Sequence, residues 1–244
     1  MKNITSKFAL TIGGLTTFIG SAFAGQAILA MPKIENYDKG ELTIMVAPFG
    51  LDGNEINVGK VSTDGDIHFE WPELNLKTID SSEFFMGSVA RAAGMSFCSD
   101  KTQEQSNEAA LAVDTKSIFL YKDGQQVGAV YPATAQEMQD NASLNRYTSL
   151  VLGSELSWYY STADTVFKAT CTVNNESEGY YNFAEVSSYN LDLKAGWNLV
   201  QNTLTEKEDW GNGDEQGSLP KTISKSTVSE IPASIKWYLK YWGE

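Results

Sequence analysis

The chain has 244 residues, 42% of them hydrophobic and 20% charged, with 31 acidic against 18 basic side chains and a formal net charge of −13. This apolar content is enough to close a core, and 20 Gly and 6 Pro exclude a collagen-like or wholly disordered chain. The acidity excludes the basic stripe that nucleic-acid binding requires.

Residues 1–24 read as a cleaved, bacterial-type secretory signal. Lys2 and Lys7 form a positive n-region, Phe8 to Ile19 is uncharged and mostly apolar, and Ala22-Phe23-Ala24 is the small-x-small pattern cut by a signal peptidase. A membrane anchor would need about 20 apolar residues, and this stretch is shorter and rich in Thr and Gly. Cleavage after Ala24 leaves a mature chain, 25–244, with 16 basic and 31 acidic groups. Its expected location is secreted or periplasmic, with no transmembrane segment in the mature chain. In an oxidising compartment Cys98 and Cys171, 73 positions apart, read as one disulfide.

The mature chain reads as one all-β domain. Leu42 to Ala47 is a β-branched run, Gly50 to Asn54 a turn, and Ile56, Val58 and Val61 resume the apolar pattern. Asp64-Gly65 is a hairpin signal, followed by alternation of Ile67, Phe69 and Trp71 with polar partners. Ser82 to Ala93 reads as a short helix or linker, Lys101 to Glu108 as a polar loop. Ser117 to Tyr121 and Gln126 to Tyr131 flank Asp123-Gly124 as a second hairpin, and Ala133 to Leu144 has helix-forming composition. Leu156, Trp158 and Tyr160 alternate, and Phe167, Ala169, Cys171 and Val173 share one face, which turns Cys171 inward. Tyr189 to Leu193 and Trp197 to Leu199 read as a third hairpin through Lys194-Ala195-Gly196. Glu206 to Thr227, acidic and then Ser/Thr-rich, reads as a flexible exposed loop. Ile235 to Trp242 fits a strand or a helix, and its aromatic content favours the strand.

This spacing predicts an antiparallel β-sandwich, immunoglobulin-like or jelly-roll-like, with a barrel as the alternative. A true immunoglobulin domain is disfavoured because Ala169 stands where that pattern has Tyr before the second Cys. An outer-membrane barrel would need long strands with a lipid-facing apolar band.

The stretch Tyr189 to Val200, with Leu193-Lys194-Ala195-Gly196-Trp197-Asn198 at its centre, resembles a hairpin of secreted bacterial β-proteins of unassigned function. Thr63-Asp64-Gly65, and Trp158 to Tyr160 ahead of Lys168 to Val173, are similar to other features of those chains. The resemblance covers a minor part of the mature chain. It implies an exported β-rich protein and brings no catalytic residues.

Chemistry-bearing constellations are few. His68 is the only histidine and falls on the polar side of its strand, so it reads as a surface imidazole rather than part of a Ser-His-Asp set. Glu70 and Glu73 bracket Trp71-Pro72, but a close carboxylate pair is expected by chance in so acidic a chain. Asp209, Asn212, Asp214 and Glu215 form an oxygen-rich cluster that could hold Ca²⁺. Other cofactors are not indicated. The strongest functional pull comes from the aromatics. Consecutive rings on a strand cannot share one core, so Trp158, Tyr159, Tyr180, Tyr238 and Trp242 are the candidate ligand-binding residues, some of them exposed. The reading is an exported, non-catalytic binding or structural module, its partner a polysaccharide or another surface protein. The alternatives are a carbohydrate-binding module using those rings and a secreted hydrolase.

Overall fold

A computed structural model describes residues 32–48, 55–74, 76, 87–95, 98–143, 149–177, 180–212 and 215–242. The signal region and the Gly50–Asn54 turn lie outside them. The described chain is mostly β. Its strands are β1 (Leu42–Pro48), β2 (Ile56–Val61), β3 (Ile67–Phe69), β4 (Gly87–Ser88), β5 (Asp100–Gln105), β6 (Leu111–Lys122) and β7 (Gln125–Ala133). They continue with β8 (Gly153–Ser161), β9 (Thr165–Ser177), β10 (Tyr180–Leu193), β11 (Gly196–Asn212), β12 (Glu215–Val228) and β13 (Lys236–Tyr241). A single helical turn, α1 (Val89–Ala92), and a 3-10 helix, Gln136–Ser143, complete it. No described helix is long and apolar enough to cross a membrane.

The strands form one open sheet in the order β3-β2-β1-β6-β7-β8-β11-β12-β10-β9-β5, with β13 added on β7 and β4 on β6. Both short hairpins form as their turn chemistry requires. Asp123 and Gly124 take φ of 51° and 79° between the paired Lys122 and Gln125, the double positive φ of a tight hairpin turn. Gly65, at φ 85°, closes the β2–β3 turn where a Cβ would lie 2.8 Å from the Ile34 carbonyl, so only glycine fits. β13 is a strand, with Ile235 and Trp237 buried.

Four expectations change. Lys101 to Glu108, read as a loop, contains the edge strand β5, paired with β9 from Asp100↔Thr172 to Gln105↔Phe167. Glu206 to Thr227, read as a flexible loop, is instead part of the long β11–β12 hairpin, paired from Leu199↔Val228 to Asn212↔Glu215 with shifts of register on either side of Glu206. The Lys194-Ala195-Gly196 turn exists, but its strands splay and β12 slips between them, parallel to β10 from Val186↔Thr222 to Asn190↔Ser226. The sheet is therefore mixed rather than wholly antiparallel. The 133–144 segment is helical only as a 3-10 helix, anchored by buried Met138.

Burial explains the strand pattern. One apolar cluster gathers Ile44, Val58, Ile118, Val130, Trp158, Leu199 and Trp237. A second gathers Val89, Tyr159, Phe167, Cys171, Tyr189 and Val200. Alternate residues of β8 and β11 feed different clusters, so this part of the sheet is covered on both faces. Cys98 and Cys171 are bonded, with Cα atoms 5.3 Å apart, and Cys171 faces the second cluster as its alternation implies.

Candidate functional site

An enclosed feature arises where β6 changes partner. Along Ala112–Thr115 it pairs with β8, and along Ile118–Lys122 with β7. β7 therefore leaves β6 beyond Val130 and follows β13, Pro132 opposite Trp237. Pro132 has no N–H to offer a second ladder. The wedge left at this fork is a cavity of about 330 Å³, at the small end of ligand pockets.

Its walls are mainly apolar, from Leu150, Leu204, Ile223 and the ring of Tyr131, with acids set into them. Asp114 lies opposite Tyr159 in the β6–β8 ladder and is 5% exposed. Glu155, Asn202, Lys225 and Tyr189 stand side by side across β8, β11, β12 and β10. Asn202 Nδ2 donates to Glu155 Oε1 at 2.7 Å. The oxygen of the same amide, Asn202 Oδ1, and Oε1 of Gln139 are wholly buried without a hydrogen-bond partner among the described residues. Lys225 Nζ donates to the Ala93 carbonyl at 2.9 Å and lies 5.9 Å over the Tyr189 ring. Burial pushes the Tyr159 phenol well above its usual range, reinforced by the charge of Asp114, then Tyr189 and Glu155. Burial also raises Glu185, against a hydrogen bond from Ser187 and the charge of Lys225.

The aromatic residues singled out in the sequence separate. Trp158 and Tyr159 are 4% and 1% exposed, each facing a core on its own side of β8, and Tyr159 also lines the fork cavity. Phe69, Trp71, Trp158 and Trp237 stack within 5.1–6.0 Å, and Trp197 extends the stack at 4.6 Å from Trp71. Trp197 Nε1 donates to the Pro72 carbonyl at 2.6 Å. These rings spend their faces on one another, which leaves little for a sugar. The side chain of Tyr180 lies outside the described residues. Tyr238 is half-buried and directly opposite Tyr131, and Trp242 is 43% exposed.

The acidic cluster divides as well. Asp214 and the side chains of Asn212 and Glu215 lie outside the described residues. Asp209 accepts from Ser218 Oγ at 2.5 Å and pairs with Lys207 Nζ at 3.0 Å. Those contacts, the serine bond first, hold its carboxyl below the usual range. Lys207 Nζ is also 3.4 Å from Ser218 Oγ. A serine, a lysine and an aspartate thus meet, but the serine hydroxyl donates to the aspartate and the lysine pairs with that same carboxylate. That arrangement opposes nucleophilic use of Ser218. Among the described residues no group of three or more His, Cys, Asp or Glu is placed to hold a metal ion. His68 is half-buried on β3, and Glu70 and Glu73 are exposed.

A second hollow, about 770 Å³ and open to solvent, runs along β13 beside Ile34, Tyr37, Ile231 and Tyr238. The cavity residues Asp114, Glu155, Asn202 and Lys225 were not singled out in the sequence. Only Asp114 carried a signal, an acid inside the apolar run Leu111-Ala-Val-Asp-Thr115; the others meet only through the ladder. Comparisons with protein-family models, curated proteins and solved structures give no match.

Proposed function

We propose that this chain is an exported, non-catalytic binding module of the cell surface or periplasm, built on a sandwich-type frame and holding a small ligand at the β6–β7 fork. The observation that carries this reading is the 330 Å³ cavity, apolar-walled and lined by Asp114 and Glu155. Shape and a few polar groups of this kind are what ligand sites use for orientation. The disulfide and the signal-like residues 1–24 support export. Asp209, held as an ion pair with Lys207, gives a hydrolase reading no support.

A carbohydrate-binding module is the second reading. It is favoured by the outer face of β13, where Tyr238 pairs across to Tyr131 and Trp242 stands exposed. Exposed rings stack on sugar faces.

One experiment separates the two. The exported chain is screened against soluble polysaccharides and small metabolites, with and without Ca²⁺, by tryptophan fluorescence and thermal shift. The cavity reading expects a small-molecule response removed by Leu204→Trp, which fills the cavity, and kept in Trp242→Ala. A polysaccharide response removed by Trp242→Ala and Tyr238→Ala would transfer the function to the β13 face. No response in either class overturns both.

A further inference from the structure

We infer that the ligand of the fork cavity is a small neutral molecule, a short hydrocarbon body carrying one hydroxyl or carbonyl oxygen; the inference rests on the binding reading above. The walls set the body. Leu150, Leu204 and Ile223 line the cavity, and so do Ile118, Val130 and Leu156 of the first apolar cluster. A hydrocarbon chain moved from water against such walls gains about fourfold in affinity per buried methylene. A polyol gains little there and gives up its hydrogen bonds to water. The volume, about 330 Å³, is at the small end for ligand pockets, which limits the body to a short chain or a single ring.

The charged groups on the walls are engaged by the protein itself. Glu155 Oε1 accepts from Asn202 Nδ2 at 2.7 Å. Lys225 Nζ donates to the Ala93 carbonyl at 2.9 Å and lies over the Tyr189 ring. Asp114 and Lys225 each make a further interaction within the protein. A ligand ion would have to displace these contacts or be buried without a counter-charge, and an unpaired buried charge is very costly. A neutral ligand leaves them as they are. What the walls offer it is neutral too: the hydroxyls of Tyr131, Ser157 and Tyr159 and the amide of Gln139 line the same space. Burial raises both phenols, so they stay protonated. A hydroxyl both donates and accepts, and one alcohol or carbonyl oxygen on the ligand is enough to meet it.

The test uses the exported chain with n-hexanol as probe, against n-butanol, n-hexylammonium chloride and sodium hexanoate at matched ionic strength. Calorimetry reads affinity for wild type, Leu204→Trp and Ile223→Trp, with near-ultraviolet circular dichroism checking each fold. Nuclear Overhauser contacts between hexanol and the Leu204 and Ile223 methyls locate the site in wild type, whether or not the variants fold. Hexanol is expected to occupy one site and to bind about tenfold more tightly than butanol, for two further buried methylenes. It is expected to touch those methyls and to be lost from the folded variants. The two ions are expected to bind at least about tenfold more weakly than hexanol. Should hexylammonium or hexanoate bind the same site as tightly as hexanol, the neutral class is overturned while the cavity stands as a binding site. Should hexanol show no saturable binding, the assignment fails, and the small-metabolite screen decides separately whether the cavity holds anything. Overhauser contacts elsewhere, or full binding to both folded variants, place the alcohol at another site and also overturn the assignment.

Discussion

Asn198 shows how one side chain can fix a turn that the strands around it do not. Its Nδ2 donates to the carbonyls of Lys194 and Gly196 at 2.8 and 2.9 Å, and its Oδ1 accepts from Lys194 N at 2.8 Å. Asp164 Oδ1 takes the next amide, Ala195 N, at 2.8 Å. These bonds replace the cross-strand ladder that an ordinary hairpin would have here, because β12 occupies the space between β10 and β11. The Gly-Trp-Asn of the motif is thereby explained: Gly196 turns at φ 97°, Trp197 joins the ring stack, and Asn198 ties the corner. Asn198→Ala is expected to cost about 2–3 kcal/mol, from three bonds at roughly 1 kcal/mol each, read as a lowered urea midpoint. A change below 0.5 kcal/mol would mean that the ladder alone holds the corner.

At the scale of elements, the disulfide ties the segment after α1 to the middle of β9. Cys171 lies in the second apolar cluster, and Cys98 packs against it. Next to it β5 is a polar edge strand, Asp-Lys-Thr-Gln-Glu-Gln, whose first five residues are exposed. Charged residues on such an edge discourage pairing with other chains, so the composition that hid this strand in the sequence is part of its role. A loop of 73 residues is closed by the bond, worth about 4 kcal/mol in the chain-entropy model. The double variant Cys98→Ser/Cys171→Ser is expected to lose that stability in chemical denaturation while keeping its far-ultraviolet spectrum. Unchanged midpoints would show that β5–β9 pairing restrains the unfolded chain without the bond.

For the whole molecule, phenols raised by burial or by a carboxylate partner set the alkaline response. Tyr159, Tyr189 and Tyr160 are raised by burial. Tyr37 is raised to about 12 by burial with the charges of Tyr241 and Asp38. Tyr121 is raised to about 12 mainly by its hydrogen bond to Glu55. The folded state holds these protons more tightly than the unfolded chain, whose phenols ionise near the ordinary value of 10. Stability is therefore full below pH 10 and falls as pH rises through 10 toward 12 and beyond. Urea midpoints at pH 8, 10 and 11 are expected to decline, with a shallower alkaline decline in Tyr159→Phe. Equal slopes for the two proteins would show that Tyr159 ionises in the fold without penalty.

The sequence by itself determined the all-β character, the hairpins at Asp64-Gly65 and Asp123-Gly124, the strand Lys236–Tyr241 and the pairing of Cys98 with Cys171. Each is set by local φ preferences, by period-two burial, or by there being only two cysteines. It also stated correctly that Trp158 and Tyr159 cannot share one core. The tertiary structure alone decided that each has a core of its own, because covering the second face of β8 depends on how α1, β9 and β10 pack against it. It likewise decided that polar Glu206 to Thr227 is a hairpin, since its stability lies in a ladder of backbone bonds that leaves no apolar alternation to read. The fork cavity is of the same kind: Asp114, Glu155, Asn202 and Lys225 come from four strands, and only the register of those strands puts them around one space.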